Sequence, residues 1–236
     1  ADEKSGWQNR GCRRRWAHLG LRSGYGVNSH VAHIPEGILS EPVLIGGAVL
    51  GIAMLGYSLK RMPAESIPQT ALLAAALFVS SLVSIPVGVS SVHLLLNGLM
   101  GIVLGIVAVP AILIALVLQA VFFGYGGLVV LGVNLVNLAL PAVLCAIVIR
   151  PLIHNASPRK SFWLGLLAGG LGACMTGILL TSSIMLSDPN LIPAAKIILL
   201  TFVPLMAIEG VITGFTVGFI KRVAPELILP KEGRHV

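Results

Sequence analysis

His33 and His93 are the residues of this 236-residue chain best suited to hold a metal ion in apolar surroundings. His33 belongs to Ala32-His33-Ile34-Pro35-Glu36-Gly37-Ile38-Leu39-Ser40, where a basic head gives way to an almost unbroken apolar chain. Pro35 fixes its own φ and pushes Ile34 toward extended geometry, so the histidine stands at the mouth of whatever the apolar spans build. His93 lies in Ser90-Ser91-Val92-His93-Leu94-Leu95-Leu96-Asn97. Imidazole nitrogen suits zinc, copper, iron and nickel, and a planar nitrogen set favours Cu(II) or Ni(II). Two imidazoles are too few ligands. A chain whose free terminus is Ala32 would add its α-amine and the His33 backbone nitrogen, giving three nitrogens from two residues, with His93 the fourth. Binding would then release protons from the amine and the amide, so uptake is expected to fail as pH falls.

The other polar groups of the apolar region number few. Asn97 follows His93 by four residues, one helical turn, and Asn134 and Asn137 form an i,i+3 pair. All three suit hydrogen bonds between helices, and with Ser91 they are candidates to close the site. Glu209 lies deep in an apolar run just after Pro204, whose missing N–H loosens a helix. An ionisable group there is either tied to a neighbouring backbone or couples ion movement. Lys196, near the start of the same run, can extend to the surface.

These residues need a membrane protein to position them. The chain is 56% hydrophobic and only 11% charged, against roughly a quarter charged in soluble domains. Its net charge of +7 sits in the head and at the ends of apolar runs, with few aromatics to stack on bases, which points to membrane flanks and away from nucleic acid. Cys12, Cys145 and Cys174 have no metal-ligand spacing and make no disulfide framework. Runs of the length a bilayer demands predict an all-α bundle of seven spans. They are Pro42 to Leu59, Ile67 to Ser84, Ser91 to Val107, Val109 to Phe123, Leu128 to Ile149, Phe162 to Leu186 and Pro193 to Ile220, with Pro110 dividing the third from the fourth.

Lys and Arg test that count, because they collect in cytoplasmic loops. Lys60 and Arg61, then Arg150, Arg159 and Lys160, then Lys221, Arg222, Lys231 and Arg234 occupy alternate connections. The C-terminus is therefore expected in the cytoplasm, and His33 and His93 together on the outer side. Residues 1–31 break the rule with Lys4, Arg10, Arg13, Arg14, Arg15 and Arg22. That extension is expected to be disordered or absent from the mature protein, leaving a membrane domain over 32–229 and a short tail over 230–236. Gly47 and Gly51, Gly101 and Gly105, Gly165 and Gly169, and Gly210, Gly214 and Gly218 recur at four-residue spacing, so the spans are expected to pack closely.

The segment from His33 to Ser40 closely resembles the extreme N-terminus of the NikM/CbiM family, the substrate-binding membrane subunits of nickel and cobalt energy-coupling-factor (ECF) transporters. The stretch from Ser90 to Leu95 resembles the family's second histidine motif, and Gly132-Val133-Asn134-Leu135-Val136-Asn137 its asparagine-containing segment. The similarity runs from about Ala32 to Leu229. It implies Ni2+ or Co2+ as transported substrate, held in near-planar fashion by the terminal amine, the second residue's amide and imidazole, and the later histidine, which map onto Ala32, His33 and His93. Two departures stand out: Ala32 replaces the family's methionine, and thirty-one residues precede it. A start at Val31 followed by removal of the initiator would expose the Ala32 amine.

The resemblance further implies high-affinity metal uptake at a prokaryotic plasma membrane, with a transmembrane coupling subunit, cytoplasmic ATPase subunits and a small accessory membrane protein as partners. The chain has no phosphate-binding G-x-x-x-x-G-K-[ST] loop of its own, and no clustered acid, base or nucleophile of an enzyme. The rival reading is an ion-coupled secondary metal transporter or channel that uses Glu209, although no inverted repeat with paired broken helices is evident. Between the metals, the Ile-Pro-Glu-Gly start leans to nickel, while cobalt and cobalamin biosynthesis remain the companion reading.

Overall fold

The computed structural model describes residue 34 and residues 36–87 and 90–228. The basic head, Ala32 and His33, and the 230–236 tail lie outside the described residues. In lipid a backbone must satisfy its own hydrogen bonds, so apolar runs become helices. Helix α1 spans Glu41–Lys60, with Pro42 in the first turn and Glu41 and Lys60 at the ends that suit their charges. Helix α2 spans Ile67–Ser80. A β-hairpin follows, β1 Ser84–Val87 and β2 Ser90–His93, in antiparallel register with Ser84 opposite His93. Then come α3 Asn97–Leu104, α4 Ala108–Phe123, α5 Leu131–Val148, α6 Arg150–His154, α7 Pro158–Ser187 and α8 Ile192–Val223.

Among the described residues, five helical runs are long and apolar enough to cross a bilayer: Glu41–Lys60, Asn97–Phe123, Leu131–Val148, Pro158–Ser187 and Pro189–Val223. The run Ala64–Ser80 is apolar but shorter. The chief departure from expectation concerns the segment from Ser91 to Val107. In place of one continuous helix it is a strand, an irregular turn and the eight residues of α3. The break before α4 falls at Gly105, with φ +67° and ψ −134°, and not at Pro110. Pro110 is the third residue of α4, where its missing N–H costs nothing.

The positive φ of Gly105 is what calls for glycine there, and the Arg150 guanidinium packs against it. The Ser58 hydroxyl, near the end of α1, donates to the Ile106 carbonyl at 2.8 Å. The chain therefore runs from the hairpin through α3 to the end of the bundle that carries Arg61 and Arg150, and α4 returns. Arg61, Arg150, Gln69 and Leu227 line one cavity of about 300 Å³ there, and Lys221 Nζ donates to the His154 carbonyl at 2.8 Å. Basic residues from three separate connections thus share one end. Burial pulls the Arg150 guanidinium below its ordinary pKa.

Helices α3, α4 and α5 form the centre, with Leu95, Met100, Ile102 and Ile112 fully enclosed. The repeated glycines are the contact points. A Cβ on Gly165 would lie 2.9 Å from Val217 Cβ and 3.0 Å from the Thr213 carbonyl oxygen, and one on Gly214 3.0 Å from the Phe162 carbonyl oxygen. Helices α7 and α8 therefore touch backbone to backbone, as small residues allow where lipid gives no hydrophobic drive. Gly51 does the same against Gly132 of α5.

Candidate metal centre

His93 is the last residue of β2 and is 1% exposed. Its Nδ1 lies 2.9 Å from the Leu94 carbonyl oxygen, which can only accept. With Nδ1 as the donor the imidazole lone pair lies on Nε2; in metal sites such a second contact is what selects the ligating nitrogen. Tyr125 stacks on the imidazole, with ring centroids 6.2 Å apart and planes 8° from parallel. Phe123 and Phe78 continue that aromatic wall, at 5.4 and 5.3 Å.

The backbone just after His93 is held from another helix. Glu209 of α8, with no exposure at all, accepts the Leu95 N–H and, at 3.1 Å to each oxygen, the Leu96 N–H. Leu96 has φ +48°, a left-handed conformation that costs a non-glycine residue roughly 1–2 kcal/mol. The Glu209 side chain's bonds to these two N–H groups hold that turn, and the Leu96 carbonyl accepts from Met100 N–H at 2.9 Å to start α3. The cause of the broken third span is visible here: a buried acid binds peptide groups that a continuous helix would have used internally.

The other expected ligand segment is held in the same manner. Asn134 Oδ1 accepts the Ile34 N–H at 3.3 Å and Asn134 Nδ2 donates to the Ile34 carbonyl at 3.4 Å. One side chain thereby grips both polar groups of the residue that follows His33 in sequence. Glu36 Oε1 accepts the Val129 N–H at 3.0 Å, placing negative charge at the positive end of α5. Gly127, whose φ of +107° disfavours any side chain, packs directly against the Glu36 side chain. Tyr125 and Gly127 stand two residues apart, so one short loop touches both His93 and Glu36.

The remaining candidates divide clearly. Asn97 does not share a helix face with His93, because His93 is in a strand and Asn97 opens α3. Its Nδ2 donates to Thr176 Oγ1 at 2.7 Å and to the Gly172 carbonyl at 3.3 Å. Thr176 in turn donates to the Asn137 carbonyl at 3.0 Å, so Asn97 and Asn137 tie α3, α5 and α7 together. The Asn137 Nδ2 is buried without a partner. Ser91 pairs with Pro86 across the hairpin. No group of three or more His, Cys, Asp or Glu side chains gathers among the described residues, and Ala32 and His33 lie outside them. Sequence reasoning overlooked Tyr125, Glu36 and Thr176; the glycines around Tyr125, on the side expected for His93, were the available signal.

Among the described residues, a bundle of long apolar helices with a buried imidazole at the end of β2 is the architecture of an integral membrane protein. The family of the cobalt uptake substrate-specific transmembrane region, CbiM, matches residues 33–227, and the chain belongs to that family. A Haemophilus influenzae protein assigned to metal transport is 37% identical over 198 residues, covering 83% of this chain and 96% of that protein. The fused nickel transport protein NikMN of Rhodobacter capsulatus is 36% identical over 112 residues, covering 45% of this chain and 32% of that protein. Among solved structures, a transition metal transporter shares the fold with a TM-score of 0.65 at 22% identity, over 81% of this chain and 93% of the other.

Proposed function

We propose that the chain captures Ni2+ or Co2+ as the substrate-specific membrane component of an ATP-driven, ECF-type uptake system. The ligands in this reading are the Ala32 amine, the amide and imidazole nitrogens of His33, and His93 Nε2. It requires a free nitrogen at Ala32, and hence a mature protein without residues 1–31. The seven crossings count the short α2 and treat α3 and α4 as separate passes. The ligand end faces outward, and the end rich in arginine and lysine faces the cytoplasm, in keeping with the positive-inside rule.

The observation that carries the reading is the pair of clamps, Asn134 on Ile34 and Glu209 on Leu95 and Leu96. Buried polar groups invested in fixing two short peptide segments make sense where those segments orient ligands. Family membership supports a transition metal as substrate, and a planar nitrogen set favours nickel over cobalt. The fusion in NikMN supports a second membrane subunit as partner, with ATPase subunits supplying the energy. The tie of Glu209 to backbone N–H groups supports a positioning role for it over proton coupling.

Equilibrium titration of Ni2+ and Co2+ into protein whose N-terminus has been verified by mass spectrometry tests the proposal. Tight binding lost in both His33→Ala and His93→Ala is the expected result; unchanged binding in either variant overturns the ligand set. Metal uptake that persists in cells lacking the ATPase partner would instead establish a secondary transporter.

A further inference from the structure

The end of the bundle that gathers the basic residues carries a groove of about 570 Å³ between the start of α7 and the end of α8. Phe162, Trp163, Phe215 and Phe219 line it, and Arg159 and Arg222 stand in its wall. Trp163, Phe215 and Phe219 are 60%, 66% and 63% exposed, so no described element of this chain covers them. The apolar surface is already shaped: Phe162 meets Phe215 edge-on at 5.1 Å and Trp163 at 5.3 Å.

The charge at this groove is one-sided. No acidic residue lines it. Arg159 occupies the first turn of α7, where the helix macrodipole disfavours a cation, so its position does not serve the helix itself. A soluble anion would satisfy the two guanidinium groups and leave the aromatic faces bare, whereas a bare acyl chain would do the reverse. A molecule with a phosphate joined to hydrocarbon satisfies both. Aromatic side chains at a membrane interface and basic pockets between helices are where such molecules bind, and guanidinium groups match phosphate oxygens with paired hydrogen bonds.

We propose that the groove between the start of α7 and the end of α8 binds an anionic phospholipid, its phosphate between Arg159 and Arg222 and an acyl chain along Phe215 and Phe219. The chain has three tryptophans, Trp7, Trp16 and Trp163, so Trp7→Phe/Trp16→Phe leaves Trp163 as the sole reporter. The full-length protein in phosphatidylcholine nanodiscs is titrated with brominated phosphatidylglycerol or brominated phosphatidylcholine while Trp163 fluorescence is followed. Phosphatidylglycerol is expected to half-quench at a mole fraction at least about 10-fold lower. Arg159→Gln/Arg222→Gln should erase that preference, and Arg159→Lys/Arg222→Lys should keep much of it, which a collapsed groove could not do. Equal quenching by the two lipids, or a preference that survives the glutamine pair, overturns the proposal. So does a photocrosslinker at position 219 that captures a protein subunit in the assembled transporter while phosphatidylglycerol no longer quenches Trp163, since the occupant is then a protein.

Discussion

The α7–α8 pair and the region of the hairpin and α3 hold their backbones by opposite means. In α7 and α8, helices of 30 and 32 residues, the peptide groups bond within each helix and glycines bring the two backbones into steric contact. Around α3 the elements are short, and peptide groups there and at Ile34 depend on distant side chains: Glu209 for Leu95 and Leu96, Asn134 for Ile34. The first arrangement gives rigidity without polar contacts. The second sets the position of individual peptide units, which steric packing of long helices cannot do, and the candidate ligands adjoin those units.

The comparison can be broken most severely from the rigid side. Gly169→Val pushes a side chain into the Glu209 carbonyl of the facing helix, and overpacking of this kind costs about 3 kcal/mol or more where neither backbone can yield. Thermal unfolding in detergent should show a large loss of stability, with metal binding lost as a consequence. His93→Ala is the opposite case: its melting temperature should stay near that of the parent while Ni2+ affinity falls by more than the ~100-fold that loss of an outer partner brings.

Intermediate effects sharpen the contrast. Glu209→Gln replaces one acceptor oxygen at the Leu95–Leu96 turn with an amide donor but leaves the α7–α8 glycine contacts intact. Affinity by isothermal titration should drop by roughly 10- to 100-fold, while the protein remains folded by circular dichroism. Asn134→Ala should act similarly through Ile34, and parent-like affinity in both variants would dissolve the distinction between the two regions. The smallest effect belongs to Tyr125→Leu, which removes a ring contact worth about 0.5–1.5 kcal/mol and should lower affinity by about 10-fold or less in the same titration.

Much of this was legible in the residues. The glycines at four-residue spacing signalled close packing of the spans, though not which helices would meet, and the first, fifth, sixth and seventh expected spans coincide closely with α1, α5, α7 and α8. The hairpin was missed because length and greasiness were read as helix. Ile85, Val87, Val89 and Val92, with Pro86 and Gly88 among them, carry the β-branched and breaker composition that distinguishes a strand from a helix. The clamps were illegible for another reason. Ile34 and Asn134 are 100 residues apart and Glu209 and Leu95 are 114 apart, and no local pattern reports which distant peptide a buried polar side chain will bind.

The left-handed turn at Leu96 also bears on how the histidine motif can be used outside its parent. A peptide or grafted loop carrying residues 90–97 would bring His93 without the carboxylate that holds the turn, and its backbone would relax into extended or helical conformers with the imidazole unaimed. A transplanted site would have to include the α8 segment around Glu209, over a hundred residues downstream, so the smallest transferable unit is most of a domain and not a motif.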